Sequence, residues 1–452
     1  MTTTTKTIVS SSALWWLVAS SPGCVSGELA IPTRPAAAPF AAAAGDDDPV
    51  PVPMGPVTLE ELVRFARASA PGSLLAEAST FGAQAELEAA QQRALYNPVV
   101  QVSLGARSQA RSTGLEAQVG VSQQIEVGGE RKRRISAAEQ GARQAESGRE
   151  ARLWVVEVEV RRLYRLVTVS EELVKLSTQA ASAADSLAAA TQEKVEAGEE
   201  PPLVAELSHA RAALLTAKVR ETTALRDAVL GQLAAASGWP GESPLVLDAG
   251  NDHPVAPPDT TKLVHRALQQ NRDRATLEAG ISRAVADRSL AKREAWPEPT
   301  IGVNYAREAG VANSRAANVV LGTLSVPIPS FSRNQASRAR ARAAERSSEA
   351  ALLAFERGVP GKVAAAAARV RGALERIDAL DEVASLRDGR QLVALNEAFD
   401  AGEVELLAVL QTLEQVIEAR TALLEAKVEY INAAAALELV VGAEFGPEED
   451  TP

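Results

Sequence analysis

The chain is written twice, and this duplication restricts its fold more than any other feature. Ala94-Leu95-Tyr96-Asn97-Pro98-Val99-Val100 is matched later by Ala295-Trp296-Pro297-Glu298-Pro299-Thr300-Ile301. Ile125-Glu126-Val127-Gly128 is matched by Ile328-Pro329-Ser330-Phe331, and Ala197-Gly198-Glu199 by Ala401-Gly402-Glu403. Ala213-Leu214-Leu215-Thr216-Ala217-Lys218-Val219 returns as Ala422-Leu423-Leu424-Glu425-Ala426-Lys427-Val428. Four anchors in one order at a nearly constant offset define an internal repeat. The chain of 452 residues therefore divides into a first repeat at 57–250, a second at 251–445 and a tail at 446–452.

Each repeat has the same internal order. A short helix opens it, at 59–68 and 262–270, and a second helix ends at the Pro-flanked aromatic. Two strand-like runs follow, then a very long helix, Ala-Gly, and another long helix. Leu166, Val169, Leu173, Leu176, Ala180, Ala183, Leu187 and Ala190 alternate steps of three and four, a seam for packing along a neighbouring helix. Leu406, Leu410, Leu413, Ile417 and Leu424 repeat the pattern. A helix over 130–197 would run about 100 Å, too long to fold back into an ordinary domain. Gly358-Val359-Pro360-Gly361 lies inside the corresponding helix of the second repeat and predicts a kink or broken turn.

The strand-like runs, near 99–108, 115–127, 300–308 and 318–328, bring in a membrane. Val100, Val102, Leu104 and Ala106 alternate with Gln101, Ser103, Gly105 and Arg107; Leu115, Ala117, Val119 and Val121 alternate with Glu116, Gln118, Gly120 and Ser122. Ile301, Val303 and Tyr305 oppose Gly302, Asn304 and Ala306, whereas the fourth run alternates poorly. One apolar and one polar face suit a barrel with lipid outside and water inside. Runs of about 9–11 residues are long enough to cross when tilted. Four strands cannot close a barrel, and an open edge is unstable in lipid. Three copies supply twelve strands, so the strand count predicts a homotrimer. Tyr96 and Trp296, just before the strands of each half, are candidate interfacial aromatics at headgroup depth.

Composition agrees and excludes alternatives. Aromatic residues make up only 4% and charged residues 23%, with abundant Ala, a helix-rich balance rather than that of a large compact core. The net charge of −11 argues against nucleic acid as a partner. One Cys and three mutually distant His residues, His209, His253 and His265, form no metal-ligand spacing, so no metal site and no cofactor are expected. There is no nucleophile elbow or phosphate loop, and no enzymatic activity is expected.

The N-terminus reads as a targeting segment over 1–29: Lys6 precedes a short apolar stretch, which Ser21-Pro22-Gly23-Cys24 follows. Cys24 is a candidate lipidation site, although Ser21 stands where a lipoprotein signal has an aliphatic residue. Residues 30–56, rich in Pro and Ala, read as a tether.

At this point the chain, from Val57 to Phe445, resembles the TolC family of outer-membrane efflux ducts, and within it the CzcC-type branch associated with heavy-metal export. Ser122-Gln123-Gln124-Ile125-Glu126-Val127-Gly128-Gly129-Glu130-Arg131 is similar to that branch's strand-to-helix turn, with Glu130 replacing the usual Lys. Ser325-Val326-Pro327-Ile328-Pro329-Ser330-Phe331-Ser332-Arg333-Asn334-Gln335 is similar to its second-repeat counterpart. The resemblance implies a twelve-stranded trimeric β-barrel in the outer-membrane lipid and a helical tunnel in the periplasm. The tunnel would dock onto a periplasmic adaptor and an inner-membrane, proton-driven pump of the resistance–nodulation–division class. It also implies adaptor contact at the hairpin tips, Ala197, Gly198, Glu199, Ala401, Gly402 and Glu403. Threefold rings of Glu196, Glu199, Glu200, Asp400, Glu403 and Glu405 would make the tip a candidate cation-selective entrance. The competing reading is a soluble or periplasmic coiled-coil adaptor or scaffold, which the duplicated plan and the paired strands disfavour.

Overall fold

A computed structural model describes residues 52–53, 55–109, 112–248, 253–309, 315–386 and 404–445. Within them the first half runs α1 (Leu59–Ser69), α2 (Pro71–Ala90), β1 (Val99–Gln109), β2 (Ser112–Gln124), α3 (Glu130–Glu196) and α4 (Pro202–Ser237). The second half repeats this order: α5 (Thr260–Gln270), α6 (Arg272–Arg293), β3 (Thr300–Glu308), β4 (Ala317–Ser325), α7 (Gln335–Leu386) and α8 (Leu406–Val441). Among the described residues no helix is long and apolar enough to cross a membrane.

Each half has its own core where the short helix meets the long pair. In the first, Leu62, Phe65 and Ala66 of α1 bury against Val160, Leu163, Tyr164 and Val167 of α3 and Leu233 of α4. In the second, Leu263 and Ala267 of α5 bury against Val359, Val363, Ala367 and Val370 of α7 and Ala434, Leu437 and Val441 of α8. A tyrosine ties the incoming chain to each core. The Tyr164 hydroxyl donates to the Val57 carbonyl at 3.2 Å, and the Tyr430 hydroxyl donates to the Val255 carbonyl at 3.1 Å.

The periodic seam joins the halves. Val169, Leu176, Ala180 and Leu187 of α3 are buried in successive clusters with Leu424, Leu413, Leu406 and Val409 of α8. Nearer the sheet, the joint is charged. Arg161, only 5% exposed, pairs with Glu157, Glu438 and Glu444. Its guanidinium lies 4.8 Å from the ring centre of Trp154, and that of Arg272 lies 4.2 Å from the same ring.

Three expectations need correction. Helix α7 continues through Pro360, so the broken turn expected at Gly358-Val359-Pro360-Gly361 is absent. Burial of Val359 and Val363 in the second core holds the helix across the missing N–H. The second strand ends at Gln124, not 127: Ile125 makes one last bond, its N–H to the Pro299 carbonyl at 2.9 Å, before Glu126 pairs with Arg134. The fourth strand ends at Ser325, not 328, where Pro327 and Pro329 cannot donate to a ladder.

Candidate functional site

The four strands form one antiparallel sheet in the order β1-β2-β3-β4. Its register aligns the alternating residues of both halves into two continuous faces. On one, Val102 pairs with Val119, Val119 with Tyr305, and Tyr305 with Val320. The row below continues Val100, Val121, Val303 and Gly322. Leu104, Leu115, Val102 and Val303 are all strongly exposed in the single chain, so this apolar face has no protein partner among the described residues. The other face carries the rows Gln101, Gly120, Asn304, Leu321 and Ser103, Gln118, Ala306, Val319. There Arg107 and Glu116 form an ion pair at 2.7 Å. β4 is apolar on both faces, the structural counterpart of its poor alternation. β1 and β4 each leave one edge unpaired.

Where the sheet meets the helices, the two halves enclose a cleft of about 740 Å³. Tyr96 and Trp296, taken from sequence as equivalent aromatics, both line it. Glu126, Glu130, Glu294, Glu298 and Arg134 line it as well. Arg134 and Glu126 pair at 2.5 Å. Glu298 accepts from Gln124 Nε2 at 2.6 Å. The Tyr96 hydroxyl is also hydrogen-bonded to Glu298, and that bond, with burial, pushes the phenol above its ordinary pKa. Sequence reasoning missed this convergence of four carboxylates. The repeat gave no signal for it, since it aligns Glu126 with Pro329 and Glu298 with Asn97, so neither carboxylate has an acidic counterpart in the other half.

The turns leading from strand to long helix differ between halves. Residues 125–129 form the first, and Gly129 enters α3 with φ 77°, a left-handed conformation that favours glycine. Residues 326–334 form the second, and Asn334 takes the corresponding left-handed place at φ 55°. The longer turn exposes Ile328 and Phe331, the latter to 93%.

At the far end of α3, Ala197 caps the helix and Gly198 turns left-handed at φ 78°. The Gly198 N–H donates to the Val195 carbonyl at 3.0 Å and the Glu199 N–H to that of Lys194 at 2.9 Å, a helix-ending pair of bonds. Pro201 and Pro202 then start α4. Leu187 near this end packs with Val204 at the start of α4 and Leu406 at the start of α8. Glu196, Glu199, Glu200 and Glu405 therefore belong to one end of the bundle, and Glu196 accepts from Gln192 Nε2 at 2.8 Å. Asp400, Ala401, Gly402 and Glu403 lie outside the described residues, as do Cys24, the signal-like segment, most of the tether and the tail.

Residues 69–236 and 263–443, nearly the whole of both halves, match the family model described as outer membrane efflux protein. The cobalt-zinc-cadmium resistance protein CzcC of Cupriavidus metallidurans is 26% identical over 303 residues, spanning 66% of this chain and 70% of that protein. Among solved structures, CusC superposes with a TM-score of 0.67 at 16% identity, covering 85% of this chain and 92% of its own. The outer membrane protein VceC of Vibrio cholerae gives 0.65 at 14% identity, covering 86% and 97%.

Proposed function

The chain belongs to the outer membrane efflux protein family, a family of passive ducts rather than enzymes, and from that premise we propose that three copies close into a twelve-stranded barrel and export heavy-metal cations. The observation that carries the barrel is the sheet: one apolar face runs unbroken across strands from both halves, with an open edge on each side. Lipid has no donors or acceptors for such edges, and joining β4 of one copy to β1 of the next removes them all.

The heavy-metal cargo is supported by the relation to the cobalt-zinc-cadmium resistance protein, not by ligand residues in the duct. Substrate choice then rests with an inner-membrane, proton-driven pump, reached through a periplasmic adaptor. The adaptor contacts the hairpin tips at Ala197, Gly198, Glu199, Ala401, Gly402 and Glu403. Tip carboxylates Glu196, Glu199, Glu200, Asp400, Glu403 and Glu405, tripled by symmetry, favour cation entry. Tyr96 and Trp296 mark the inner lipid–water boundary.

Conductance of the purified protein in planar bilayers tests this reading. The expected result is a cation-selective channel, with selectivity reduced when Glu196, Glu199 and Glu200 are changed to Gln. Channels whose ion preference is unaltered by those changes would remove the ring; absence of channels from properly extracted protein would remove the barrel.

A further inference from the structure

The cleft at the sheet–helix junction carries a charge imbalance that conduction does not require. Among the described residues four carboxylates line it with one guanidinium. Glu126 is paired with Arg134. Glu298 accepts from Gln124, and Glu294 accepts from Asn334 Nδ2 at 2.9 Å. Glu130 has nothing. It is 2% exposed, and both its carboxylate oxygens are buried with no hydrogen-bond donor. Among the described residues Arg134 Nε is likewise buried without an acceptor, which marks the cleft as a place that needs water. Gly128 is what allows the carboxylate to lie there: a Cβ on it would stand 2.0 Å from Glu130 Oε1.

The second half shows what a satisfied version looks like. Its long helix also starts directly after the left-handed residue, and the residue in the place of Glu130 is Gln335. Gln335 closes on its own turn: Oε1 accepts from the Arg333 N–H at 2.7 Å and Nε2 donates to the Phe331 carbonyl at 3.0 Å. The neutral amide needs nothing more. A buried carboxylate without donors needs a cation.

We infer that this cleft is a cation site, in which a hydrated divalent ion sits between the two halves with Glu130 as its anchoring charge and Glu294 and Glu298 bonded to its water. Among the described residues no three His, Cys, Asp or Glu side chains converge into a direct coordination cage, so the ion keeps water. A cleft of about 740 Å³ has room for it. Carboxylates alone, without imidazole or thiolate, select hard ions of the Ca²⁺ or Mg²⁺ kind. The site is thus a structural clasp between the strand-to-helix turns and is independent of what the duct carries.

Terbium luminescence of the full chain in detergent tests it, because Trp296 and Tyr96 line the same cleft and sensitise a bound Tb³⁺. The expected result is saturable emission that Ca²⁺ or Mg²⁺ displaces. Glu130→Gln weakens Tb³⁺ binding about tenfold or more, and Trp296→Phe removes most of the emission while Ca²⁺ or Mg²⁺ still raises the unfolding temperature. If Glu130→Gln does not fold, Glu298→Gln, at a half-buried position, carries the test with a several-fold loss expected. Absence of saturable emission, or emission unaltered by these substitutions, overturns the inference. So does a Glu130→Gln chain whose assembly loosens while ions have no effect on the native protein, since that assigns the counter-charge to a neighbouring copy.

Discussion

Helices α3 and α7 hold corresponding places in the two halves, yet they bury different chemistry. Along α3, Glu130, Glu157 and Arg161 are buried with the apolar residues. Along α7, the buried positions among the described side chains are Ala341, Val359, Val363, Ala366, Ala367, Val370, Ala373 and Ile377. The turns that lead into them differ in the same sense: the short first turn tucks a carboxylate inward, and the longer second turn holds Ile328 and Phe331 outward. Helix α3 therefore buries charge where it meets Glu438 and Glu444 of the second half, whereas α7 buries apolar side chains and follows an apolar lip. A duplicated plan fixes where helices go, while each copy specialises what its helices bury.

Substitutions along these helices break or sharpen the contrast. Arg161→Ala has the largest expected effect, because it removes the cation buried among Glu157, Glu438 and Glu444; removing one partner of a buried pair costs about 3–5 kcal/mol, and Arg67 beside Glu157 and Arg165 beside Glu438 hold the loss to the lower end. Thermal unfolding followed by circular dichroism reads this loss, and an effect below that of an ordinary surface change would show the charged joint to be dispensable. Pro360→Ala works in the opposite direction. Pro360 is exposed within a continuous helix, and restoring its N–H should stabilise α7 by about 2 kcal/mol, after allowing for the freedom that Pro removes from the unfolded chain.

The turns give a smaller, paired comparison. Gly129 has open space where a Cβ would stand, so Gly129→Ala carries only the left-handed strain, about 1–2 kcal/mol. Asn334→Gly relieves strain but loses bonds to the Ala291 carbonyl and Glu294, leaving a net change within about 1 kcal/mol. Equal losses at both would mean that the turns are not equivalent. The smallest effect is at the start of α5. The Thr261 N–H bonded to Asp259 holds that carboxyl below its ordinary pKa. Its contribution is present above the unfolded value and lost as pH falls through the folded one. Asp259→Ala therefore lowers the unfolding temperature slightly at neutral pH, and the difference from the native chain vanishes in acid.

Much of this architecture was legible because periodicity reports burial directly. The seam from Leu166 to Ala190 packs where its spacing says it should, and the alternation of 300–308 coincides with β3. Local breakers were less reliable. Pro360 is overridden by the packing of its neighbours Val359 and Val363, whereas Pro327 and Pro329 stop β4 because a strand has no such compensation. At the hairpin tip, Gly198 was readable as a helix end. Glu130 was visible only as a substitution within a turn, since its burial depends on Gly128 and on residues of the other half that no local pattern brings together.

The central claim is that open sheet edges join between copies. Val102 of β1 and Val320 of β4 lie three strands apart, at opposite edges of one sheet, so single cysteines placed there are too far apart for a short link within a chain. Treating the double variant in membranes with a short bis-maleimide tests the joint. Linked dimers and trimers that require both new cysteines, with nothing larger than a trimer, are the result this account predicts. Products confined to monomer, or ladders extending beyond three copies, would contradict it.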